Sequence, residues 1–260
     1  MICVFGRAWA VVLGRAWTVR ENVNGMGSIE ENLKMIIAEK NEVAAAAGRN
    51  PEDVTLCAVT KTHSAEEINE AIRAGVTDIG ENRVQEILEK YDKVLPVKWH
   101  LIGHLQTNKV KYIIDKVSMI HSVDSFKLAE EIDKRAASHG TTMDILVQVN
   151  AAEDEAKFGI STADTEALVR RILENCENIR VRGLMTIAPY AEDPEDVRPF
   201  FRIMRSLYDE LDKSISHERK DFKYLSMGMS NDRVVAIQEG STMIRVGTAI
   251  FGARNYAAGT

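Results

Sequence analysis

The sequence is poor in cysteine and has no excess of positive charge, and each absence excludes a class of protein. Three cysteines occur in 260 residues, Cys3, Cys57 and Cys176, and their spacing fits neither a disulfide framework nor a metal-binding motif. Acidic residues outnumber basic ones by 39 to 33, so neither a nucleic acid nor an anionic membrane is an expected partner. We therefore expect a cytoplasmic protein, in a reducing setting, with no metal site.

The N-terminus lacks the continuous apolar run of a signal peptide. Residues 1–25 contain the segment GRAW twice, and the arginine of each copy interrupts the apolar residues. The apolar runs of this segment are also far too short to span a membrane. We predict that residues 1–27 are a disordered extension outside the fold and that residues 28–260 form one domain. A cryptic targeting segment is the alternative.

Strand-like and helix-like segments alternate along the rest of the chain. The first helix begins with a capping box, in which Ser28 is the N-cap and Glu31 its partner. Short runs rich in β-branched residues predict strands at residues 54–60, 76–79, 98–102, 118–123, 143–149, 179–184, 222–226 and 243–246. Stretches with helical periodicity separate them, for example at residues 65–75, 124–140 and 162–176. Because no linker interrupts this pattern, we predict an α/β fold that is a single (β/α)8 TIM barrel. An open doubly wound sheet is the alternative.

Polar and glycine-rich residues follow each predicted strand, whereas the residues before the strands show no such enrichment. These segments are Lys61, GENR (80–83), HLIGHLQTNK (100–109), HSVDS (121–125), Asn150, Met185-Thr186, MGMSND (227–232) and Gly247-Thr248. In a barrel of this kind the chemistry lies at the C-terminal ends of the strands. The sequence therefore predicts a functional site at that end.

The segments after strands 7 and 8 predict a phosphate site. Ser230 or Asn231 is expected to cap a helix whose N–H groups and dipole favour an anion. Gly247 allows the backbone to approach a ligand closely, and Thr248 offers a hydroxyl group. Each segment alone is typical of an ordinary helix cap or tight turn. Barrels of this type commonly bind phosphate in the loops after strands 7 and 8. The occurrence of both segments at these positions therefore favours a phosphate site.

Arg245 lies between two apolar residues of the last strand, so its side chain faces either the barrel interior or the helix layer. An unpaired guanidinium is costly in either place. Two interpretations follow: an internal ion pair with a carboxylate such as Glu81, or a contact with a ligand.

Lys61 ends the apolar stretch LCAVTKT, residues 56–62. A lysine at a strand end is usually a solvated charge. Near Arg245, in the low-dielectric mouth of a barrel, its pKa is expected to fall, which would make the amine a nucleophile suited to a Schiff base. A lysine, a buried arginine and a phosphate site together indicate an aldehyde that carries a phosphate, and pyridoxal 5′-phosphate (PLP) is the obvious candidate.

A series of motifs carries a resemblance to a known family over residues 28–256. The motifs are AVTKTH, GENRVQE, WHLIGHLQTNK, HSVDS, QVN, KFGI, GLMTI, LSMGMSND and STMIRVGTAIFGAR. With them the sequence resembles the pyridoxal phosphate homeostasis protein family (YggS/PROSC type), single-domain relatives of the alanine racemase N-terminal barrel. The resemblance implies a cofactor site whose contacts are Lys61 in a Schiff base with PLP, Arg245 at the pyridine nitrogen, Ser230, Gly247, Thr248 and the backbone around Met229 at the phosphate, and Asn82 and Asn150 beside the ring.

The resemblance implies a protein that holds PLP for intracellular homeostasis, without robust turnover, and either transfers it to apo-enzymes or buffers it. An amino-acid racemase is the first alternative, although racemases of this type take a second base from an extra domain, and we expect no such domain here. His100, His104 and His121 are candidates for such a base, but each is more typical of a hydrogen-bonded structural histidine. A Schiff-base aldolase acting on a sugar phosphate is the remaining alternative.

Overall fold

A computed structural model describes residues 27–154, 156–217 and 219–252. Within these residues eight parallel strands close into a barrel in chain order. The strands are β1 (Thr55–Val59), β2 (Asp78–Glu81), β3 (Lys98–Leu101), β4 (Met119–Val123), β5 (Met143–Gln148), β6 (Ile179–Met185), β7 (Lys220–Ser226) and β8 (Met243–Val246). The helices are α1 (Ile29–Ala46), α2 (Ala65–Arg73), α3 (Val84–Lys90), α4 (Phe126–Ser138), α5 (Thr165–Asn175), α6 (Arg198–Ser214), α7 (Arg233–Gln238) and α8 (Thr248–Phe251). The predicted (β/α)8 barrel is confirmed.

Capping boxes begin the first two helices. The Ser28 N–H donates to the Glu31 carboxylate at 2.9 Å, and the Glu31 N–H donates to Ser28 Oγ at 3.2 Å, as predicted. Ser64 and Glu67 make the same two bonds at the start of α2. The capping box of Ser64 and Glu67 fixes the end of the turn that begins at Lys61.

Strand β2 is displaced from its predicted position. The apolar run at 76–79 predicts its start at Val76, but the paired residues are Asp78–Glu81, in register with β1 at Val59↔Gly80 and with β3 at Glu81↔Leu101. The prediction was wrong because it excluded a glycine and a carboxylate from a buried strand. Glu81 is consequently a strand residue, and it is fully buried.

Apolar side chains pack between the barrel and the surrounding helices. Ile79 and Ile145 from the strands and Ile132 and Phe201 from the helices are all fully buried. Burial of each such side chain contributes roughly 1.5–3 kcal/mol relative to exposure. This packed layer holds the strands in place, so the residues at their C-terminal ends have defined positions.

Helix α1 also packs against the end of the chain that the structure describes. The Asn32 side-chain amide, which is buried, donates to the Ile250 carbonyl at 3.0 Å. Ile250 belongs to α8, so this bond anchors the segment that begins with Gly247 and Thr248.

The predicted extension at residues 1–27 lies outside the described residues except for Gly27, and Cys3 lies there with it. Among the described helices, none combines the length and apolar content that a membrane span requires.

Candidate functional site

The ends of β1, β7 and β8 lie side by side at the C-terminal mouth of the barrel. Strands β1 and β8 pair in the register Cys57↔Arg245. A Cβ atom on Gly247 would lie 3.1 Å from the Val59 carbonyl oxygen, so the backbones approach closely here. The Arg245 N–H donates to the Gly228 carbonyl at 2.9 Å, which brings in the turn after β7. The half-buried Lys61 follows Val59 by two residues, so lysine, arginine and both glycine turns share this mouth.

Among the described residues, the side chain of Arg245 donates to a hydroxyl group and to a backbone carbonyl. Its side chain is 3% exposed, Nη1 donates to Ser226 Oγ at 2.6 Å, and Nη2 donates to the Thr186 carbonyl at 2.8 Å. Burial lowers the pKa of Arg245, but an arginine keeps its proton in proteins. The guanidinium is therefore a fixed, charged donor inside the barrel.

Glu81, named as a possible ion-pair partner of Arg245, does not bond to it. Glu81 Oε1 instead accepts from Lys90 Nζ at 2.8 Å and from Thr60 Oγ1 at 2.8 Å. The register accounts for this, because the shift of β2 places Glu81 at the strand end beside the turn after β1. The buried Asp232 is the carboxylate whose charge acts on Arg245, and a ligand contact by Arg245 stays a prediction.

A chain of buried side chains connects Arg245 to Asp78 across the barrel, and we call it the relay. Ser226 Oγ lies 3.4 Å from His121 Nδ1, His121 Nε2 lies 2.9 Å from His100 Nδ1, and His100 Nε2 lies 2.9 Å from Asp78 Oδ1. Strands β4 and β7 are separated by two strands in the sheet, so the contact between His121 and Ser226 crosses the barrel interior.

One set of tautomers satisfies every contact of the relay. Arginine only donates, so Ser226 Oγ accepts from Arg245, and in this set its hydroxyl proton points to His121 Nδ1. His121 then donates from Nε2 to His100, and His100 donates from Nε2 to the Asp78 carboxylate. In this set the donors run in one direction, from Arg245 at one end of the relay to the Asp78 carboxylate at the other.

The charge states in the relay follow from burial and hydrogen bonding. Burial alone would raise the pKa of Asp78, but hydrogen bonds from His100 and Thr77 outweigh it, and the pKa is lowered. Burial, together with the positive charge of Arg245, holds the pKa of His121 well below its usual range, so this ring is neutral. Sequence reasoning missed the relay; its signal was the presence of polar residues inside otherwise apolar strands.

The three candidate second bases have other contacts. His100 and His121 are 2% and 0% exposed and belong to the relay. The His104 ring stacks on Phe158, with ring centroids 4.0 Å apart. The interpretation of these residues as structural histidines therefore fits their surroundings.

The predicted helix cap at Ser230 or Asn231 is wrong. Helix α7 starts at Arg233 with Asp232 as its N-cap residue, and Asp232 Oδ1 accepts from the Met229 N–H at 2.5 Å. Burial raises the pKa of Asp232. With six residues, α7 is too short for the strong dipole that the sequence suggested. The half-buried Ser230 lies in the turn between Gly228, whose φ of +94° favours glycine, and this helix.

The two predicted ring-side asparagines differ in their surroundings. Both parts of the Asn150 carboxamide bond to the Asp154 backbone, at 2.8 and 3.2 Å, and so close the loop after β5. The Asn82 carbonyl packs against Gly103, where an added Cβ would come within 2.3 Å of the oxygen. A ring contact by either residue stays a prediction.

Comparison with known proteins agrees with this architecture. The model of the alanine racemase N-terminal domain matches residues 32–255. A pyridoxal phosphate homeostasis protein of Aquifex aeolicus is 45% identical over 228 residues, which cover 87% of this chain and 98% of that protein. The chain belongs to the pyridoxal phosphate homeostasis protein family. The resemblance predicted from the sequence motifs is thereby confirmed.

Two further relatives extend across the same region. The pyridoxal phosphate homeostasis protein of Pseudomonas aeruginosa is 39% identical. The match covers 90% of this chain and 99% of that protein. The structure of PipY from Synechococcus elongatus, solved with PLP bound, superposes with a TM-score of 0.73 at 36% identity, covering 86% of this chain and all of PipY. Members of the pyridoxal phosphate homeostasis protein family thus match the barrel over nearly their whole length.

Proposed function

We propose that this protein binds PLP reversibly, as a Schiff base on Lys61, and serves PLP homeostasis in the cytoplasm without robust turnover of its own. The observation that carries the proposal is the arrangement of the barrel mouth. A lysine follows β1, a buried guanidinium with fixed orientation lies in β8, and glycine turns follow β7 and β8. PLP bound to PipY, a relative at 36% identity, supports the same cofactor for this chain.

The residues present fit the parts of PLP. Ser230 and Thr248 offer hydroxyl donors for the phosphate, and Gly247 leaves the backbone accessible to it. Met229 would contribute through its backbone, although its N–H now bonds to Asp232. Asn82 and Asn150 remain proposed neighbours of the ring. When bound, PLP would supply an aldehyde carbon and a conjugated ring that withdraws electrons.

Lys61 would form the covalent link. Its unprotonated amine adds to the aldehyde carbon, a C=N bond forms, and one water molecule leaves. Addition of water reverses the step and releases the cofactor. A reversible bond of this kind suits a carrier, because the cofactor can be transferred to an apo-enzyme without being consumed.

Arg245 favours binding over turnover. Its guanidinium only donates, so a pyridine nitrogen in contact with it accepts a hydrogen bond and stays unprotonated. An unprotonated ring withdraws electrons weakly, which slows the chemistry of most PLP enzymes. Ser226 Oγ and the Thr186 carbonyl fix the orientation of the guanidinium.

Transfer of the cofactor tests the proposal. The purified protein is loaded with PLP, and reactivation of an apo PLP enzyme is followed beside free PLP at the same concentration. We expect a Schiff-base absorption band, loss of the band in Lys61→Ala, reactivation by the loaded protein, and no measurable racemisation of amino acids. Racemisation that disappears in Lys61→Ala would instead support an enzyme, and absence of the band in the wild type would overturn PLP binding on Lys61.

A further inference from the structure

Lys61 lies between two residues whose positions are fixed by one group of side chains. The Lys90 ammonium donates to the Thr60 carbonyl at 3.0 Å, to Glu81 Oε1 at 2.8 Å and to Glu86 Oε2 at 2.9 Å. Glu86 Oε2 also accepts from the Thr62 N–H at 2.8 Å. The residue before Lys61 and the residue after it are therefore tied to the same ammonium–carboxylate pair.

The backbone at Thr62 needs this support. Its φ is +69°, in the left-handed region, which is unfavourable for a β-branched residue. The bond from its N–H to Glu86 holds this conformation. A turn that relaxed to an ordinary φ would carry the Lys61 side chain in another direction.

The ion pair between Lys90 and Glu81 is more deeply buried than a surface ion pair. The Lys90 side chain is 12% exposed and that of Glu81 is fully buried. Val84 and Ile87 bury the inner face of α3, which sets the position of Lys90 and Glu86. Glu81 Oε2 is nonetheless buried without a hydrogen-bond partner among the described residues.

We propose that Lys90 and Glu86 are positioning residues for Lys61, and that they form, with Thr60, Thr62 and Glu81, a clamp that presents the Lys61 amine in one orientation. The inference rests on the proposed function. The proposed effect of the clamp is on the lysine turn. The clamp restricts the conformations of the lysine turn before PLP binds. Less conformational entropy is then lost when the Schiff base forms.

Two substitutions at one position separate the clamp from a general effect of charge. Glu86→Ala removes the acceptor for the Thr62 N–H, whereas Glu86→Gln keeps an amide oxygen for it. Glu89→Ala is the control, because Glu89 is an exposed carboxylate on the same helix. Each variant is titrated with PLP, and the dissociation constant is measured together with the induced circular dichroism of the Schiff-base band.

We expect Glu86→Ala to weaken PLP binding about tenfold and to reduce the induced circular dichroism. Glu86→Gln should recover most of both, and Glu89→Ala should match the wild type. Wild-type values for Glu86→Ala, or equal weakening by Ala and Gln, would overturn the clamp. If Glu86→Ala does not fold, Lys90→Met is the second variant, with the same expected weakening. A wild type without a Schiff-base band would refute the proposed function, which is a distinct result.

Discussion

Substitution of Ser226 by alanine tests whether the hydrogen bonds of the relay stabilise the folded protein. Ser226 is fully buried, and its hydroxyl accepts from Arg245 at 2.6 Å and faces His121 at 3.4 Å. Ser226→Ala leaves a buried guanidinium donor and a buried ring nitrogen without this partner. A hydrogen bond to a charged group contributes about 1.5–3 kcal/mol, so we expect the free energy of unfolding to fall by about 2 kcal/mol.

Ser122 provides the matched control. It is also fully buried in the barrel, but its hydroxyl has no hydrogen-bond partner among the described residues. Ser122→Ala removes the same atom and leaves the same small void, so its effect should stay within about 0.5 kcal/mol or be stabilising. Urea unfolding of both variants without cofactor gives the comparison. Equal losses in the two variants would refute the reasoning, because the cost would then come from the void and not from the relay.

Two other predictions concern the ends of the relay. Because folding lowers the pKa of Asp78, the stability that this carboxylate contributes is present above its unfolded value, about 4, and is lost as the pH falls through the folded value. The stability difference between wild type and Asp78→Asn should therefore shrink in acid, as measured by urea unfolding from neutral to acidic pH; a difference that does not change with pH would count against the ionised carboxylate. Arg245→Glu should shift the absorption spectrum of bound PLP toward that of a protonated pyridine ring. An unchanged spectrum with intact binding would argue against contact between Arg245 and the ring nitrogen.

The barrel was predictable because its signals are local. Alternation of β-branched runs with helical periodicity, and capping pairs such as Ser28 and Glu31, depend on residues close together in the chain. The error at β2 has a physical cause as well. A buried glutamate is unfavourable in a strand until a cation compensates for it, and the cation, Lys90, comes from the following helix.

The site was predictable in its residue types but not in its connections. Lys61, Arg245 and Gly247 are conspicuous because each interrupts or ends an apolar strand. The partners of Arg245 are a hydroxyl of β7 and a carbonyl after β6, and the sequence gives no means of choosing these over Glu81. The relay draws its members from five strands, so its connections depend on barrel closure and register.

Trapping of the cofactor on its lysine tests the central claim most directly. The protein is incubated with PLP, reduced with borohydride, digested and mapped by mass spectrometry, with Lys61→Ala treated in parallel. We expect one phosphopyridoxyl adduct on Lys61 in the wild type and none at the corresponding peptide of the variant. Modification spread over several surface lysines, with Lys61 unmodified, would contradict it.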